Sequence, residues 1–102
     1  MKVSILSDKE VQAQLQELPR WTLRAGKLHR EYKFGGFAEA FGFMSSCALV
    51  AQRQDHHPEW SNVFDRVVVD LTTDDAGGIS TFDFALATEM EKLAHATGDL
   101  AP

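Results

Sequence analysis

The chain has almost nothing to cross-link with. Cys47 is the one cysteine in 102 residues, so no intrachain disulfide can form and a reducing compartment is expected. It sits in an apolar run with no neighbour to activate a thiolate, and reads as a small core hydrophobe. Three prolines and seven glycines leave no linker, and there is no repeat or low-complexity tract. A single domain over residues 1–102 is expected. No apolar run approaches the roughly 20 residues that span a bilayer, and MKVSILSDKE lacks a signal-like apolar core. The expectation is a soluble, cytoplasmic protein with no membrane partner. Positive charge is short as well: 10 Lys and Arg face 15 Asp and Glu, a net charge of −5. That argues against nucleic acid, which draws on clustered cations. Arg20, Arg24, Lys27, Arg30 and Lys33 do fall in one region, diluted by Glu31. The four histidines show no zinc-type spacing, so no metal is expected.

What the chain does have is clean punctuation. Ser7 and Glu10 fit a capping box, and Val11, Leu15 and Leu18 follow at helical spacing up to Pro19. The first helix is predicted over Asp8 to Leu18. Trp21–Arg24, a turn at Ala25-Gly26-Lys27, and Leu28–Phe34 read as a hairpin. Leu28, Tyr32 and Phe34 share one face of its second strand, which Arg30 interrupts. After Gly35-Gly36, a helix to about Arg53 carries two apolar stripes: Phe37, Phe41, Met44, Ala48, Ala51, and Ala40, Phe43, Cys47, Val50. Apolar on both sides, it is expected to be buried on both, against a sheet and another subunit. Trp60–Phe64 and Val67–Thr73 form a second hairpin, and Asp74–Ile79 a loop. Ser80 caps a last helix with Asp83 in a box-like position, its buried stripe being Phe82, Leu86, Met90 and Leu93. The order αββαββα predicts an α+β fold: a four-stranded antiparallel sheet with three helices on one face.

The chemistry-bearing stretch is QDHHPEW, Gln54 to Trp60. Pro58 pushes His57 towards an extended backbone, and with His56 extended too the two imidazoles should point to opposite sides. The pair can hydrogen-bond at a helix C-terminus, where the dipole favours it, or move protons near neutral pH.

HHPEW with Asn62 and Phe64, the FGFMSSCALVAQ helix, DHHPEWSNVFDRVVVDLTTDDAGGIS and Asp83 in TFDFAL together resemble the pterin-4a-carbinolamine dehydratase family. The resemblance implies removal of water from 4a-hydroxytetrahydropterins to give quinonoid dihydropterin, without metal or organic cofactor, by a homodimer or homotetramer. It implies that His56, His57 and the residue at position 74 do the catalysis, with His57 the principal proton-transfer group. Asp55, Thr72, Thr73 and Asp83 would line or support the pterin pocket. Trp60 would pack beside it or anchor the core, and Asp83 could instead serve only as a helix-start carboxylate.

Two positions depart from the family pattern. Gln52 stands where an ionisable residue is usual, four before the first histidine, and Asp74 where a third histidine is usual. Aspartate, with a reference pKa of about 3.9, is a poor proton donor unless desolvated. An anionic Asp74 would favour the cationic, acid form of a nearby histidine, or hydrogen-bond the pterin's N–H groups. It would otherwise mark a chain that kept the fold for binding or scaffolding, as relatives that assist transcription-factor dimerisation or Rubisco assembly do.

Overall fold

The computed structural model describes residues 4–99. The elements are α1 (Asp8–Leu15), β1 (Thr22–Arg24), β2 (Lys27–Lys33), α2 (Phe37–Gln54), β3 (Glu59–Val63), β4 (Arg66–Leu71) and α3 (Thr81–Thr97). A single 3-10 turn, Asp74–Ala76, separates β4 from α3. The strands form one antiparallel sheet in the order β1-β2-β4-β3. This is the α+β fold, in the order αββαββα, that the sequence predicts.

Alternation along the strands decides which face is covered. Leu28 and Tyr32 on β2 are buried together with Val67, Val69 and Leu71 on β4. They join one cluster with Val11 of α1, Ala40, Phe43 and Cys47 of α2, and Leu86 and Met90 of α3. Each large apolar side chain so buried contributes about 1.5–3 kcal/mol. Tyr32, Phe34 and Phe43 form an aromatic knot at its centre, with ring centroids 4.7–6.1 Å apart. Burial pushes the Cys47 thiol up to about 12, as befits a core hydrophobe.

Both predicted capping boxes form, Ser7 with Glu10 and Ser80 with Asp83. Three expectations change. Helix α1 ends at Leu15 rather than Leu18, because the chain tightens into a turn in which Leu18 N donates to Leu15 O at 3.0 Å. Strand β4 ends at Leu71, since Thr73 leaves the ladder to bridge Gly78. Phe82, expected on the buried stripe of α3, is 43% exposed. Capping by Ser80 fixes the phase of the helix so that Asp83 and Phe84 turn inward instead. On α2, Ala40, Phe43, Cys47 and Val50 are buried, whereas Phe37 and Phe41 stay more than half exposed. One protomer therefore covers only one flank of that helix.

Arg30 interrupts the strand pattern without leaving the core face. It is 2% exposed. Its Nε donates to Glu91 at 2.8 Å, its Nη2 to Asp99 at 2.7 Å, and its Cζ lies 4.0 Å above the Tyr32 ring. Two carboxylates and an aromatic face make a buried guanidinium tolerable. Glu91 Oε1 also accepts from Trp21 Nε1 and Tyr32 Oη, so the C-terminal half of α3 is tied to the first hairpin.

Candidate active site

The end of α2 makes the site. Asp55 adopts a left-handed conformation, φ 50°, and its N–H bonds back to the last helical turn. Aspartate tolerates that region better than most residues. His56 N then donates to Ala51 O at 3.0 Å, turning the chain sharply over the helix end. The two histidines diverge, as the proline predicts. His56 is 8% exposed, and His57 points outward.

His56 is held from behind. Its Nε2 lies 2.5 Å from Oδ1 of Asp83, which is fully buried at the start of α3. The other carboxylate oxygen, Oδ2, accepts from Thr73 Oγ1 at 2.8 Å and from Ser80 N at 2.9 Å. Thr73 and Ser80 hydroxyls also meet at 2.6 Å. A carboxylate can only accept. The hydrogen of His56 therefore belongs on Nε2, and Nδ1 is the ring nitrogen left without a protein partner among the described residues. Phe82 sits over the same ring, centroids 6.0 Å apart. Sequence reading placed Asp83 as a pocket residue or a helix-start carboxylate. In the fold it begins the helix and also orients His56 from behind the wall.

His57 has one loose contact, Nε2 to Gln52 Oε1 at 3.4 Å. Across from it, Thr72, Thr73, Asp74 and Asp75 leave the end of β4 and enter the 3-10 turn, which Gly77 closes at φ 78°. Gly78 follows with Ile5 packed so tightly on it that a Cβ would clash with the isoleucine side chain. The histidine turn and the strand end enclose an open cleft of about 230 Å³ lined by Asp55, His56, His57, Thr72, Thr73, Asp74 and Asp75. Three aspartates and two imidazoles wall it, and no lysine or arginine does. The fold thus brings six of the eight sequence-selected residues to one surface, with Asp83 immediately behind. Trp60 is not among the lining residues; on β3, opposite Val69, it packs half-buried against the core. Among the described residues no histidine, cysteine and carboxylate cluster fit to hold a metal occurs.

A sequence model of the family described as "Pterin 4 alpha carbinolamine dehydratase" matches residues 4–93. The chain belongs to that family. A provisionally named pterin-4-alpha-carbinolamine dehydratase from Solibacter usitatus is 55% identical over 87% of this chain and 94% of its own. Another, from Rhizobium johnstonii, is 49% identical over 92% and 95%. Among solved structures, a transcriptional coactivator/pterin dehydratase from Brucella melitensis superposes with a TM-score of 0.86 at 38% identity, over 89% of this chain and 99% of that one. A pterin dehydratase-like Rubisco assembly factor of the alpha-carboxysome superposes at 0.60 and 21% identity, over 74% and 87%. At that distance the likeness concerns the fold. No helix among the described residues of this dehydratase-family chain is long and apolar enough to cross a membrane.

Proposed function

We propose that the chain eliminates water from a 4a-hydroxytetrahydropterin, yielding quinonoid dihydropterin. The observation that carries this is the pair of histidines at one cleft, one of them backed by a buried carboxylate, in a member of the dehydratase family. The elimination needs an acid for the leaving 4a oxygen and a base for the N5 proton. His57, exposed and loosely held, delivers the proton to the departing hydroxyl. His56 receives the N5 proton on Nδ1, and Asp83 stabilises the imidazolium that results. Positioned acid–base groups of this kind contribute about 10²- to 10⁴-fold. Asp74 and Asp55 accept hydrogen bonds from the amino and ring N–H groups of the pterin. No organic cofactor enters the scheme.

The working form is a homodimer or homotetramer, in which the exposed Phe37–Phe41 flank of α2 is covered by a second copy. Asp74, at the place of the third family histidine, also supports a second reading: the cleft binds pterin without turning it over, and the fold serves assembly. A dehydration assay with freshly generated 4a-hydroxytetrahydropterin separates the two. The wild type should exceed the spontaneous rate, His57→Ala should fall close to it, and Asp74→His should gain. A wild-type rate equal to the spontaneous one favours the binding reading.

A further inference from the structure

The helices leave the other face of the sheet open, and its titratable side chains, alternating with the core set, are Arg24 on β1, Lys27, His29, Glu31 and Lys33 on β2, Arg66 and Asp70 on β4, and Glu59 on β3, with Thr22, Ser61, Val63 and Val68 between them. Four cations and His29 thus stand among three carboxylates on a protein whose net charge is −5 with its histidines neutral. They are not evenly matched. At the end of the face near the first hairpin turn, Lys27 pairs with Glu59 at 2.6 Å, His29 with Asp70 at 2.8 Å and Glu31 at 2.9 Å, and Arg24 with Glu31 at 3.6 Å. Glu59 and Asp70 are used there, and Glu31, held by His29 and Arg24, is the one carboxylate of the face whose charge also acts on Arg66.

At the other end Lys33 lies directly opposite Arg66 in the β2–β4 ladder. Like charges in that position repel, and neither forms an ion pair among the described residues. Beside them opens a cleft of about 310 Å³, lined also by Thr22 and by Arg20, which itself reaches Asp99 at 3.6 Å and keeps half its side chain exposed. Glu31 borders the same space, with its carboxylate held by His29 and Arg24. The cleft shares no residue with the histidine cleft. The histidine cleft lies past the Leu71 end of β4, whereas Arg66, at the start of that strand, lines the second cleft.

We propose that this second cleft binds a phosphate group carried on a small organic molecule. A single carboxylate would leave two facing cations only partly balanced. A phosphate dianion offsets both, and a guanidinium fork suits its oxygens. Thr22 supplies a hydroxyl donor, and the volume leaves room for an organic body attached to the phosphate. A flat anionic macromolecule fits less well, because the rest of the open face is already paired with its own carboxylates.

The test is titration of the full chain with glycerol phosphate and with inorganic phosphate, followed by amide shifts and melting temperature at constant ionic strength. Both probes should saturate, with shifts confined to Arg20–Thr22, His29–Lys33 and Arg66, and the ester should bind at least as tightly. Lys33→Gln/Arg66→Gln should lose at least tenfold in affinity. Without ligand it should melt no lower than wild type, since the repelling pair is gone. Chloride at the same ionic strength reproducing the shifts would overturn the proposal. So would full binding by the double variant, or binding to phosphatidylserine vesicles with none to either soluble probe.

Discussion

Two histidines in this chain are held by carboxylates, and they are held for opposite ends. His56, against the fully buried Asp83, commits one ring nitrogen and keeps the other for the cleft. His29, on the open sheet face, is gripped at both: Nδ1 by Asp70 and Nε2 by Glu31. Burial alone would lower the pKa of His29, but the hydrogen bonds from Glu31 and Asp70, with their charges, raise it above the ordinary histidine value. Glu31 is lowered in turn, chiefly by its bond to His29. A histidine bound by carboxylates at both nitrogens favours its charged form and has no nitrogen left for another partner. A histidine bound at one keeps a second nitrogen open to whatever enters the cleft.

The largest way to break this contrast is at the buried carboxylate. Asp83→Asn should cut the dehydration rate about 10²- to 10⁴-fold by loosening and re-tautomerising His56, with substrate affinity changed far less. Separate kcat and KM values check this, and the far-ultraviolet spectrum should stay that of the wild type. A smaller effect is expected at His29. His29→Gln should leave catalysis unchanged, because His29 does not line the histidine cleft. Its cost is in stability, about 1 kcal/mol or less given the exposure of Glu31 and Asp70. The sign follows from the raised folded value. The advantage of wild type is fully present below about pH 6.5 and disappears as pH rises through the folded pKa. Urea midpoints of the two proteins should converge on going from pH 6 to pH 9. Smallest is Arg24→Ala, which removes a 3.6 Å pair whose side chains are 68% and 51% exposed. Its urea midpoint should match that of wild type.

Much of the frame was legible because its signals are local. Ser7–Glu10 and Ser80–Asp83 announce helix starts three residues at a time, Gly35-Gly36 ends a strand, and the valines of β4 alternate into the core. Arg30 was not legible: only Glu91 and Asp99, about sixty and seventy residues away in sequence, make its inward orientation tolerable. The same holds for the site. Pro58 predicts that the two imidazoles diverge, and they do. Which one is buried depends on the αL turn at Asp55 and on a carboxylate 27 positions later. Phe82 over His56 was missed because a stripe read at helical spacing is ambiguous by one residue until the cap sets its phase. The pairing of Lys33 against Arg66 required the strand register, which charge composition does not contain.

The double duty of Asp83 bears on how sequences of this kind should be interpreted. Ser80 N and Thr73 Oγ1 would lose their acceptor without it, and an orphaned buried donor costs about 1–3 kcal/mol. That aspartate therefore seats the start of α3 whatever the cleft does. Asp74 carries no such obligation: it is exposed, and its charge acts on the protein only at a distance, on Lys27. Residue 74, rather than the better-rooted 83, is the position of this cleft that can change without unseating α3.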